Sequence, residues 1–108
     1  MNDSESSANF LSALAKFAAS LSESGLAIYS VGYNMEAFGS WTIELGKRHR
    51  RLLVHWDGRD FILSISRCEV ADSRATKDWQ LSADEQVDER LTNDELFKLA
   101  ENLILENV

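Results

Sequence analysis

Apolar and polar residues alternate through the middle of the chain and recur every three or four positions towards its two ends. From Leu52 to Ser66 two apolar, β-branched and aromatic runs flank Asp57-Gly58. Asp-Gly between such runs signals a hairpin, because both central residues of a type I′ turn need positive φ. A two-residue loop there sets Trp56 opposite Arg59, His55 opposite Asp60, Val54 opposite Phe61 and Leu52 opposite Leu63. One face then holds Leu52, Val54, Phe61, Leu63 and Ile65, which is a core face. Leu26 to Tyr33 and Phe38 to Leu45 also read as strands, joined by residues 34–37, and Gly46 to His49 lead into the central hairpin. Four-residue loops place Trp41 opposite Val54, Ile43 opposite Leu52, Ile28 opposite Ile43 and Leu26 opposite Leu45. That register gathers the large apolar side chains on one face and sets Glu44 opposite Arg51, a favourable cross-strand pair.

The helical rhythm appears in two places. Phe10, Leu14, Phe17 and Leu21, with Ala13 and Ala18 beside them, form one stripe of an amphipathic helix over Phe10 to Ser22. Ser7 or a nearby serine can cap its start, and Gly25 stands where a left-handed residue would end it. The last helix is marked more sharply. Thr92 with Glu95 is a capping box, Leu91 with Leu96 is the matching staple, and Leu96, Phe97, Leu99, Ala100, Leu103 and Ile104 are the buried stripe. Between Arg67 and Trp79 the pattern is lost, so residues 69–90 are expected to be partly irregular, with Trp79 to Leu81 as a candidate fifth strand. The expected architecture is an α+β two-layer sandwich: a four-stranded antiparallel meander, five-stranded if Trp79 to Leu81 joins it, with the N-terminal and C-terminal helices packed on one face.

This layout leaves the other face of the sheet open, and the register names its occupants. They are Tyr29, Val31, Tyr33, Phe38, Ser40, Thr42, Glu44, Arg51, Leu53, His55, Asp60, Ile62 and Ser64. Aromatic and aliphatic side chains among polar ones resemble an interface composition; the alternative is that Leu53, Ile62 and Val31 lie under the tail or the 68–90 segment. Ser40, His55 and Asp60 fall side by side, the ingredients of nucleophilic catalysis. Parallel side chains on a flat sheet, with no strained elbow and no oxyanion donors nearby, favour a structural polar row that would still respond to pH through the histidine.

At 108 residues the chain supports one domain, residues 1–108, with residues 1–7 expected to be loose. Its net charge of −7 is unevenly placed: residues 47–67 carry six bases against two acids, and residues 68–108 eleven acids against four bases. A nucleic-acid footprint would have to work against the field of the whole chain, so nucleic acid is not an expected partner. The Lys47, Arg48, His49, Arg50, Arg51 cluster at a hairpin tip is either a solvated loop or a docking point for an acidic partner. Asp84 to Glu95 spans the length of a calcium loop, but Glu89 stands where that turn requires glycine, so a solvated acidic helix start explains the run better. Cys68 is the single cysteine, which excludes an internal disulfide and a CxxC site and makes an inert buried thiol the expectation. The acidic N-terminus is unlike a signal peptide, and no apolar run reaches the length of a membrane span, so an unexported cytoplasmic protein with no membrane partner is expected.

No catalytic, cofactor-binding or metal-binding motif stands out, and none of those sites is assigned. Sandwiches of this layout resemble those of frataxin-like proteins, toxin-neutralising immunity proteins and secretion chaperones, an analogy of layout that transfers no residue. A frataxin would place acids on the first helix, and Phe10 to Ser22 holds none. The expected function is that of a non-enzymatic binding module, an adaptor, inhibitor or immunity-type protein. The candidate partner-binding residues are Tyr29, Tyr33, Thr42, His55, Asp60, Lys47, Arg48, Arg50 and Arg51. The alternative is a small-ligand protein or a hydrolase built on Ser40, His55 and Asp60. Residues 26–33 form an edge strand with no charge and no proline, which invites Trp79 to Leu81, a partner peptide or a second copy of the chain in a homodimer.

Overall fold

A computed structural model describes residues 3–34, 36, 38–69 and 78–107, with side chains from Asn9 onward. The expected irregular stretch over 70–77 lies outside the described residues. α1 (Asp3–Glu23) begins at Asp3, so Ser7 lies inside the helix rather than at its cap. Its other end is as expected. Gly25 takes φ 79°, its N–H donates to the Ser22 carbonyl, and the Leu26 N–H donates to the Leu21 carbonyl. This pair of bonds is a Schellman stop, closed by the buried side chains of Leu21 and Leu26.

β1 (Ala27–Asn34), β2 (Ser40–Lys47), β3 (Arg50–Asp57), β4 (Ile62–Glu69) and β5 (Gln80–Gln86) form one five-stranded antiparallel sheet in the order β1-β2-β3-β4-β5. α2 (Asn93–Asn107) follows. Both Thr92–Glu95 capping contacts form at 3.2 Å: the Glu95 N–H donates to Thr92 Oγ1, and the Thr92 N–H donates to Glu95 Oε1. Both helices bury their stripes against the face carrying Trp41, Ile43, Leu45, Leu52, Val54, Leu63 and Ile65. Phe97 joins the layers, with ring centroids 4.7 Å from Phe17 and 4.9 Å from Trp41.

The fold is the expected α+β sandwich, but its turns are exchanged. The two-residue turn is Arg48-His49, since Lys47 pairs with Arg50, and the longer loop is Gly58 to Phe61, since Asp57 pairs with Ile62. The physical reason lies in Asp57. Its Oδ1 accepts the N–H groups of Arg59 and Asp60, winding the loop around the carboxylate, and Phe61 closes it at φ 56°. Gly58 is needed for a different reason from the one the dipeptide suggests. A Cβ there would stand 2.1 Å from the Phe38 carbonyl oxygen, so the residue is glycine for close approach, and its φ is not positive.

These exchanges correct the register. Trp41 lies opposite Trp56, Ile43 opposite Val54, Leu45 opposite Leu52, and Glu44 opposite Leu53 instead of Arg51. Val54 faces Ile65 and His55 faces Ser64. Each shift is by an even number of residues, so β2, β3 and β4 keep the expected faces. β1 does not. A bulge at Tyr29 inserts one extra residue between Ile28 opposite Leu45 and Ser30 opposite Glu44, which turns the rest of the strand over. Val31 therefore lies opposite Ile43 and Tyr33 opposite Trp41, on the helix side, and Tyr33 stacks on Phe10 with centroids 4.2 Å apart.

Candidate functional site

The observed register writes the open face as rows of side chains. One row runs Gly32, Thr42, His55, Ser64, Asp84, and the next runs Ser30, Glu44, Leu53, Ser66, Leu81. β5 supplies the last member of each, and its own bulge at Ser82 puts Leu81 on this face, 64% exposed. Ser82 itself turns to the helix side and donates to Asn107 Oδ1. Leu53 and Ile62 are half-buried and His55 is exposed. Since β5 extends the sheet sideways and both helices lie on the other face, no described element covers this one.

His55 Nδ1 lies 3.0 Å from Thr42 Oγ1. Ser40 and Asp60 are not beside it. Ser40 Oγ accepts the Gly58 N–H at 2.9 Å, and Asp60 belongs to the loop, where its carbonyl accepts Gln86 Nε2. The Ser40, His55, Asp60 row is thus not formed, because it depended on a two-residue turn at Asp57-Gly58. Tyr33 also leaves the candidate set, turned under the sheet by the Tyr29 bulge, and Phe38 sits in the β1–β2 turn at φ 60°. Thr42 and His55 remain together on the open side, with Tyr29, the bulge residue, further along the same face between the Leu45 and Glu44 positions. The guanidinium carbon of Arg51 lies 3.9 Å from the Tyr29 ring centroid, a cation-π contact. Trp56, expected opposite Arg59, lies opposite Leu63 and packs against Phe61, with ring centroids 6.1 Å apart.

The basic tip is divided between the two sides of the sheet. Arg51 bends back on the open side, donating to the carbonyls of Arg48 and Arg50. Lys47, Arg48, His49 and Arg50 instead edge a cleft of about 490 Å³ at the end of the sandwich. Its floor is buried Leu26, Gly46 and Leu52, and Glu69 completes the rim, 4.0 Å from Arg50. Sequence reasoning found the cluster but missed the cleft, since it is the tight turn from α1 through Gly25 into β1 that sets Leu26 beneath it. Cys68 is buried near this end, opposite Arg51.

Charge is distributed by end. At the far end, Asp88 is bound by Arg90 through Oδ1 and Oδ2, and this hydrogen bonding holds its carboxyl below the ordinary value. Among the described residues no three metal-ligating side chains gather, and no helix is long and apolar enough to cross a membrane. The Asp84 to Glu95 run is divided among β5, a turn and the first turn of α2, which is incompatible with a calcium loop. No family model matches the chain, and neither a curated protein nor a solved structure matches it at significance.

Proposed function

We propose that the protein is a small non-enzymatic binding module, of adaptor, inhibitor or immunity type, whose protein partner lies across the open face of the sheet. The observation that carries this reading is a sheet face that no described element covers. It presents Tyr29, Leu53, Ile62 and Leu81 among Thr42, Glu44, Ser64 and His55, apolar anchors within a hydrogen-bonding surround. Arg51 on Tyr29 gives one corner a fixed positive charge that suits an acidic partner.

The edge of the sheet extends the same surface. β5 joins β4, leaving β1 as an edge strand from Ala27 to Asn34 with no charge and no proline, so strand addition there falls to a partner peptide or a second copy of the chain. Trp79 to Leu81, the internal candidate for this position, does not fill it, since Gln80 and Leu81 pair with β4.

The test uses Tyr29→Ala and His55→Ala with the immobilised protein and lysate of its source. Both variants are expected to melt within a few degrees of the wild type and to retain a captured partner several-fold less. A large fall in melting temperature would mean that these side chains belong to the core, and undiminished capture would mean that the partner binds elsewhere.

A further inference from the structure

The cleft at the basic end has a chemistry of its own, separate from the open face. Its floor is aliphatic, Leu26 and Leu52, both nearly inaccessible to solvent, with the buried backbone of Gly46 between them. A Cβ at Gly46 would lie 2.1 Å from the Arg50 carbonyl oxygen, so the two hairpin strands close tightly over this floor and the cleft has a fixed wall. Its rim is cationic in a chain of net charge −7. Among the described residues Lys47, Arg48 and His49 have no carboxylate within ion-pair distance, and Glu69 meets only Arg50, at 4.0 Å. Lys47 reaches over the end of α1, its Nζ 3.3 Å from where a Gly25 Cβ would stand, so its stem lines one side of the opening.

Arg48 adds an independent observation. It occupies the first central position of the two-residue turn at φ 59°, a left-handed conformation that favours glycine or asparagine and is strained for a long side chain. Strain of this kind clusters where a side chain is needed in place. We propose that the cleft binds a small amphiphilic anion, a short aliphatic chain headed by a phosphate or carboxylate. The tail lies along the aliphatic stem of Lys47 and the small exposed edge of Leu26, and the head sits among Lys47, Arg48 and His49. A volume of about 490 Å³ lies within the usual range for small-molecule sites. The inference is independent of the partner on the open face.

Octyl phosphate is the probe, followed by the amide resonances of the full chain. It is expected to bind saturably and to shift Leu26, Gly46, Arg48 and His49 while leaving Leu53 and His55 in place. Inorganic phosphate, which lacks the tail, and octyltrimethylammonium, which reverses the head charge, are each expected to bind at least about tenfold more weakly. Arg48→Asn removes the charge but suits the turn, so it is expected to stay folded and to weaken octyl phosphate about tenfold. Absence of saturation, shifts centred on the open face, equal binding of octyltrimethylammonium, or an Arg48→Asn variant that binds as the wild type does would each overturn the proposal.

Discussion

The two faces of this one sheet are made from the same strands and differ in almost every physical respect. On the helix side, Ile43, Leu45, Leu52, Val54, Leu63 and Ile65 are all at 0% exposure beneath two amphipathic helices. On the other side their immediate sequence neighbours Thr42, Glu44, Leu53, Ser64 and Ser66 are only partly buried, with His55 exposed. Alternation along a strand forces the difference of direction, and the absence of a covering element among the described residues makes it one of environment. The fully buried apolar contacts are therefore concentrated on one face, and the other carries the residues proposed to meet a partner.

Substitutions should separate the faces by size of effect. The largest loss is expected for Phe97→Ala, which empties the space between Phe10, Phe17 and Trp41 and should destabilise by about 3–5 kcal/mol in chemical denaturation. Gly58→Ala should come next, at about 1–3 kcal/mol, because its Cβ collides with the Phe38 carbonyl. Gly32→Ala has open space around it and no positive φ, and is expected to be neutral or to stabilise by up to about 1 kcal/mol. A Gly32 loss as large as that at Gly58 would contradict the β1 geometry. Thr92→Ala removes the hydroxyl that accepts the Glu95 N–H and donates to the Glu95 carboxylate, leaves the backbone N–H of residue 92 to the carboxylate, and should cost about 1 kcal/mol, read from the thermal midpoint.

His55→Ala, on the open face, should change stability by no more than about 0.5 kcal/mol. The smallest effect belongs to the exposed pair at the acidic end. Asp88 titrates below its ordinary 3.8 because Arg90 hydrogen-bonds the ionised form. The stabilisation is present above that ordinary value and is lost as pH falls through the lowered one. Arg90→Gln should return the Asp88 titration, followed by carboxyl carbon chemical shift, towards the usual range.

Periodicity carried most of the fold. Both helices, four strands and the identity of the core face follow from spacings of two and of three or four, and the Thr92–Glu95 box located the last helix to the residue. The turns were less legible, for a reason visible at particular residues. Asp57-Gly58 has the composition of a two-residue turn, yet its glycine serves close packing under Phe38, while the real two-residue turn uses Arg48, a residue type that carries no turn signal. Bulges were invisible for a similar reason. Nothing in Ile28-Tyr29-Ser30 announces an extra residue, and the single insertion was enough to move Val31 and Tyr33 from the open face to the helix side. β5 went largely unread because Asp84, Glu85 and Gln86 look like the start of an acidic loop; pairing with β4 outweighs that weak propensity. Thr42 and His55 were placed correctly because the errors in β2, β3 and β4 were even-numbered.

The most direct test of the open face is a matched pair of charge insertions, Leu53→Lys on that face and Leu105→Lys on the exposed side of α2, compared in partner capture from source lysate. Leu105 is 49% exposed and lies away from the open face. The account predicts that both variants fold, that Leu105→Lys retains the partner captured by the wild type, and that Leu53→Lys loses it. Retention by Leu53→Lys with loss by Leu105→Lys would place the interaction on the helical layer and contradict the division of labour between the two faces.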